Sequence, residues 1–190
     1  MELSNEQKII KILFKDFLSM YNSRSISKVI GITHAGAFKI LIKLEKRGIV
    51  KHVKIGKTKI YSLNTNNPVS NKEIEMVLTI EAQNFKRWLE EFKELKNKAD
   101  FVILFGSIIK NEESARDIDV LVVAERNKFI EIKRVINERN KISNKKIHLI
   151  LQNPEEFKKD IKDKNKVMVD IIKSGIALFG QDKLRQMLEK

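Results

Sequence analysis

The chain has 190 residues, 42% of them hydrophobic and 33% charged, with a formal net charge of +13. That length suits one medium domain or two small ones with packed cores, and the absence of cysteine excludes disulfides, thiolate zinc sites and cysteine nucleophiles. There is no leader-like N-terminus and no run of about 18 apolar residues, so the expectation is a cytoplasmic protein with no membrane contact. The charge is uneven: residues 1–66 hold 13 Lys/Arg against 4 Asp/Glu, whereas residues 67–99 hold 6 against 6. A basic excess in the first third points to an anionic partner for that segment, with nucleic acid the leading candidate.

The first element is a helix capped by Ser4 or Asn5, with Ile9, Ile10, Leu13, Phe14, Phe17 and Leu18 at helical spacing. A short second helix is expected over residues 25–31, with Ser25 as its N-cap and Gly31 as its stop. Thr33 caps a third helix, residues 34–47, whose apolar stripe is Ala37, Ile40, Leu41 and Leu44. Gly48 ends it. Two alternating runs follow, residues 49–54 and 59–63, around the basic turn Ile55-Gly56-Lys57-Thr58.

Three helices and a basic hairpin in about 60 residues resemble a winged helix-turn-helix domain. The turn Gly31-Ile32-Thr33 matches the turn of that motif. The resemblance implies double-stranded DNA as partner, with the third helix in the major groove. Ser25, Thr33, His34, Ala35, Gly36, Lys39 and Lys43 are then the candidate contacts from the helices. Lys54, Lys57 and Lys59 of the wing would meet phosphates. The domain is expected over residues 1–66.

Residues 64–70 (NTNNPVS) read as a turn-rich linker. From Ser70 a helical pattern of Ile74, Val77, Leu78, Ala82, Phe85, Trp88, Leu89, Phe92 and Leu95 reaches about Lys98 without Gly or Pro. An apolar stripe on a net-neutral helix suits a partner helix, so residues 67–98 are expected to be a long linker helix that forms a homodimer, the alternative being that the stripe packs on its own domains.

Next comes the segment FVILFGSIIKNEESARDIDVLVVA, residues 101–124. An apolar run ends in Gly106-Ser107, and after nine intervening residues Asp117 and Asp119 precede a second apolar run. On a strand, i and i+2 share a face, and two hard oxygens on one face suit a divalent cation that also holds phosphates. The Gly-Ser turn offers backbone N–H groups and a hydroxyl to phosphate oxygens. Asp-x-Asp by itself is common in solvated loops; its coupling to strand, Gly-Ser and loop gives it weight.

This segment resembles the nucleotidyltransferase superfamily related to DNA polymerase β, in its small prokaryotic, minimal form. The resemblance covers roughly residues 99–180 and implies an α/β domain over residues 99–190 with a small mixed sheet. It makes Asp117 and Asp119 metal ligands for Mg²⁺, and Gly106, Ser107 and Lys110 the nucleotide-binding residues for an NTP. Relatives carry a third carboxylate, on a later strand, that helps bind the catalytic metal and deprotonate the attacking hydroxyl. The chain has His148 there, in the strand Lys146 to Leu151. Imidazole is a poor Mg²⁺ ligand. It can act as a general base near neutral pH, or it can simply fill a strand position facing a cleft.

After this strand pair the pattern gives a helix over residues 127–140, the strand 146–151, one basic helix over residues 155–174, a Gly-apolar-Gly segment over 175–180 and a final helix from Gln181. The fold class expected is therefore α+β multidomain: winged helix-turn-helix, linker helix and nucleotidyltransferase-like domain. Three functions fit. One is a prokaryotic DNA-binding transcription regulator whose second domain binds a nucleotide or a protein partner. Another is an active Mg²⁺-dependent enzyme that transfers a nucleoside monophosphate from NTP to a protein or small-molecule hydroxyl, as antitoxins that adenylylate a toxin do. The third is an antitoxin-like module that works by contact alone.

Overall fold

A computed structural model describes residues 2–189. The chain divides into two compact units with the boundary between Ile80 and Glu81.

In the first unit, α1 spans Asn5–Lys15, α2 Ser23–Ile30 and α3 His34–Lys46. Ser4 caps α1 in a capping box with Gln7. α2 begins earlier than the sequence pattern suggests. Its N-cap is Asn22, and Ser25 is the third helical residue, returning its hydroxyl to the cap. Both residues are cap formers, and Asn22 leaves the two orphan N–H groups of Arg24 and Ser25 satisfied. Thr33 caps α3 as expected. The axes of α2 and α3 make an angle of 113° across Gly31-Ile32-Thr33.

Strands β1 (Val50–Ile55) and β2 (Thr58–Leu63) pair antiparallel, with Ile55 opposite Thr58, so the connecting turn is only Gly56-Lys57. Tyr21 adds one bridge to Tyr61, whose N–H donates to the Tyr21 carbonyl at 2.8 Å. Ile9, Ile10, Ile26, Leu41, Leu44 and Ile49 are fully buried.

The NTNNPVS segment is held down by its own side chains. Asn64 and Asn67 donate to the Gly48 carbonyl at 3.0 and 2.9 Å, and the buried Ser70 hydroxyl donates to the Ile49 carbonyl at 3.0 Å. Helix α4 then runs Pro68–Gln83, with proline in its first turn, where the missing N–H costs nothing. It does not continue to Lys98. The helix breaks at Asn84-Phe85 and resumes as the short α5, Lys86–Glu91, and a 3₁₀ turn, Lys93–Leu95. The break turns Trp88, Phe92 and Leu95 into the core of the second unit, where they are 3%, 0% and 0% exposed. The stripe expected to be a dimer surface is therefore internal packing. A 3.6 period records which residues are buried and does not say against what.

The second unit is built on a four-stranded sheet of order β5-β4-β3-β6. Its strands are β3 (Phe101–Phe105), β4 (Asp117–Val123), β5 (Lys146–Gln152) and β6 (Ile176–Phe179). β3 pairs antiparallel with β4 and β6, whereas β4 and β5 are parallel. A parallel pair needs a crossover, which α6 (Phe129–Ile142) supplies. Val102, Leu104, Ile118, Val120 and Val122 face Trp88, Phe92, Ile132 and Ile136 in one cluster. By strand alternation, Phe101, Ile103, Leu121 and Val123 bury on the other face. There Phe101 meets Phe157 edge-on, ring centroids 4.9 Å apart.

The basic stretch expected as one helix is two, α7 (Pro154–Lys162) and α8 (Lys166–Ser174), split where Lys164 takes a positive φ and Asn165 caps α8. The Gly-apolar-Gly segment is the strand β6. Gly180 after it has φ +72, and a Cβ there would lie 1.9 Å from the Asp100 carbonyl oxygen. Helix α9, Gln181–Leu188, closes the unit.

Phe92→Ala is expected to lower unfolding stability by about 3–5 kcal/mol through loss of a fully buried ring. Urea denaturation measures this. Sedimentation of the folded variant should match the parent, since the ring packs inside its own chain.

Candidate functional site

Asp117 and Asp119 open β4 and point to the face carrying Leu121 and Val123. Those two are fully buried, but at the start of the strand the cover ends. The Asp117 and Asp119 side chains are 35% and 25% exposed. The parallel ladder sets Asp119 opposite His148 and Asp117 opposite Lys146. Because Ile147 and Leu149 pack on the other face, His148 stands on the face of the two carboxylates. Its Nδ1 lies 3.5 Å from Asp117 Oδ2 and 3.5 Å from Asp119 Oδ1. One ligand atom from each of the three residues falls within 4.8 Å of the other two.

Gly106 completes the arrangement. It follows β3, where Phe105 pairs with Asp119, and has φ +82. A Cβ at this position would sit 2.2 Å from Asp119 Oδ2. Glycine is required twice over, by the backbone conformation and by the carboxylate that fills the space beside it. Ser107 follows, exposed, at the start of a 3₁₀ turn, and its carbonyl accepts from the N–H groups of Lys110 and Asn111 at 3.0 and 3.1 Å.

The electrostatics follow from crowding. Partial burial pushes the Asp119 carboxyl above the usual carboxylate range. The neighbouring Asp117 adds to the rise, and His148 works against it by charge and hydrogen bonding.

Two residues outside the motif organise the loop between Gly106 and Asp117. Asn111 Oδ1 accepts from the N–H groups of Glu113 and Ser114 at 3.0 and 3.2 Å. Lys145 Nζ donates to the carbonyls of Glu112 at 2.8 Å, Glu113 at 3.3 Å and Ala115. An Asn heading a polar loop is a readable turn signal. Lys145 carries none, since its partners are backbone atoms some thirty residues away. Lys146 is also missing from the sequence-derived set: it is exposed and shares the face of Asp117 and His148. Lys110, the cation expected at this site, is exposed at the end of the 3₁₀ turn.

In the first unit, Thr33, His34, Ala35 and Lys39 are exposed, and Gly36 is half-buried and donates to Thr33 Oγ1 at 3.1 Å. The His34 ring contacts the Ser23 hydroxyl at 2.8 Å. Ser25 and Lys43 of the expected DNA set are engaged as well. Ser25 spends its hydroxyl on the α2 cap, donating to the Asn22 carbonyl and accepting from the Asn22 N–H. Lys43 pairs with Glu6 at 2.5 Å. Lys54 and Lys59 face each other across the hairpin and Lys57 sits in its turn. None of the three pairs with a carboxylate among the described residues.

The family model for "Polymerase beta, Nucleotidyltransferase" matches residues 87–184. The chain belongs to this family. No curated protein matches it. Two solved structures of mutant forms of Lactococcus lactis ZitR align with it at 20% identity, each over 60% of this chain and 70% of its own, with a TM-score of 0.33. That likeness is too slight to carry an argument.

Nucleotidyltransferase domains generally use Mg²⁺ and an NTP. Here the donor set meets that pattern only in part. Asp117 and Asp119 supply hard oxygens, but the third converging group is an imidazole, which Mg²⁺ does not favour. No single helix among the described residues is long and apolar enough to cross a membrane.

The sign of the Asp119 shift gives a test. A carboxyl raised above its unfolded value costs stability once it is ionised. The cost is full above the folded pKa and disappears as pH falls below the unfolded value. Asp119→Asn should therefore raise the melting temperature at pH 7. The gain should shrink as pH falls through the raised pKa and into the ordinary carboxylate range, as thermal melts across pH will show.

Proposed function

We propose that the protein is a DNA-binding transcription regulator of prokaryotic type, whose first unit is a winged helix-turn-helix and whose nucleotidyltransferase domain binds a nucleotide or a protein partner. The supporting observation is the pairing of a helix-turn-helix angle with an uncompensated basic hairpin. The 113° between α2 and α3 lies within the ~90–120° of that motif. Lys54 and Lys59 are cross-strand neighbours, and like charges set opposite one another repel. With Lys57 beside them, the hairpin holds three ammonium groups that no carboxylate among the described residues pairs with. A row of phosphates relieves them, and releases counterions in doing so. On α3, His34, Ala35, Lys39 and the 42%-exposed Phe38 would be the base-edge candidates, Phe38 against a thymine methyl. As in other helix-turn-helix readers, a homodimer on a two-fold site is the functional unit of this reading.

The converging Asp117, Asp119 and His148 favour a second reading, transfer of a nucleoside monophosphate from an NTP to a protein or small-molecule hydroxyl with release of pyrophosphate. In it the Gly106-Ser107 turn cradles the triphosphate and His148 takes the proton of the acceptor. Labelling by radioactive NTP that disappears in Asp117→Ala and Asp119→Ala supports this reading. Equal labelling in all three proteins removes it.

The DNA reading is tested by fluorescence anisotropy on duplex DNA at increasing salt. Binding should weaken steeply, and the double substitution Lys54→Ala with Lys59→Ala should flatten the slope of log K against log salt by about 1.8, roughly 0.9 per lost phosphate contact. Absence of binding at low salt to any genomic fragment overturns the reading.

A further inference from the structure

The three groups that converge at the start of β4 are two carboxylates, which Mg²⁺ accepts, and one imidazole, which is the group that departs from its preference for oxygen. Mg²⁺ demands near-octahedral oxygen ligands and gives up its water reluctantly. Imidazole nitrogen suits the borderline metals, zinc among them. Two of the three spacings agree with the ligand type, and the three ligand atoms together lie within 4.8 Å of one another. A tetrahedral ion about 2.1 Å from each ligand holds those ligands about 3.4 Å apart. His148 Nδ1 lies 3.5 Å from one oxygen of each aspartate.

The surroundings fit as well. Gly106 leaves room for Asp119 Oδ2 where any side chain would displace it. The backbone ladder, rather than flexible loops, sets His148 opposite Asp119. The His148 side chain is 49% exposed, so the fourth position faces solvent, as in a zinc centre that keeps an open place for water or a ligand oxygen.

We propose that Asp117, Asp119 and His148 form a mononuclear site for a borderline divalent metal of the zinc class, held in preference to Mg²⁺. The site takes one ion through Asp117 Oδ2, Asp119 Oδ1 and His148 Nδ1, and presents its open position to an anionic oxygen. The exposed Lys146 on the same face adds positive charge for that anion. The selectivity resides in His148 alone, because the aspartates serve either metal. The inference is independent of DNA binding, which belongs to the other unit.

The test uses the full chain stripped with chelator and titrated with Co²⁺, whose visible absorption is intense only in four-coordinate sites. One equivalent should give those bands. An equivalent of Zn²⁺ should abolish them, and about a hundredfold excess of Mg²⁺ should leave them in place. His148→Ala should weaken Co²⁺ and Zn²⁺ binding by about tenfold or more, and His148→Asp should let Mg²⁺ compete. Asp119→Asn should also lose the bands, which separates this site from His34 and His52 in the first unit. Displacement of Co²⁺ by Mg²⁺ as readily as by Zn²⁺, absence of the bands at one equivalent, or an unchanged spectrum in His148→Ala each overturns the proposal. A chain that binds DNA with no metal band leaves the regulator reading standing and removes this one.

Discussion

The parallel, in-register pairing of β4 with β5 is the constraint on which the site depends. It sets Asp119 opposite His148 and fixes, by strand alternation, that both point away from the Trp88–Phe92 core. A slip of one residue would turn His148 into the core and bring Ile147 to the carboxylates. The register is held because Ile147, Leu149 and Leu151 must stay in the apolar cluster with Ile118, Val120 and Val122. The hydrophobic effect on one face of the sheet thus positions the polar chemistry on the other.

The antiparallel neighbour supplies the second half of the arrangement. β3 delivers Gly106 beside Asp119, where the carboxylate occupies the volume that any Cβ would need. Bringing a carboxylate against a second carboxylate and a partly buried backbone raises the cost of its charge. Relief comes from His148. Strain of this kind is tolerable on a sheet whose four central residues, Val120 to Val123, are fully buried. The loop that spans the gap is tied down from elsewhere, by Asn111 within it and by Lys145 from the turn before β5.

Charge in the first unit is arranged on a different principle. Arg47 and Lys43 are neutralised by Glu6 and Glu73, which binds α1, α3 and α4 together. The hairpin lysines have no such partners among the described residues, and Lys54 and Lys59 face one another. Exposed ion pairs contribute little stability, so the distinction bears on what the surface offers a partner more than on folding. It sorts the cations of this unit into structural ones and available ones, which a count of net charge cannot do.

By itself the sequence determined the three helices of the first unit with the Thr33 cap, the hairpin, and the strand–Gly-Ser–loop–Asp-x-Asp pattern that carries the family. These are local signals: caps, turn residues and periodicity act within a few residues of where they are read. Tertiary structure decided what those signals left open. The apolar pattern from Ile74 to Leu95 was legible, but only packing determined that it breaks at Asn84-Phe85 and buries Trp88 and Phe92 inside the chain. Ser25 and Asn22 are both cap formers, and in the folded chain Asn22 takes the cap while Ser25 closes the capping box from inside the helix. His148 was visible as a substitution for a carboxylate, yet its 3.5 Å approach to both aspartates required strands almost thirty residues apart to lie side by side. Lys145 could not be read at all, because its partners are carbonyl oxygens and carbonyls look the same in every sequence.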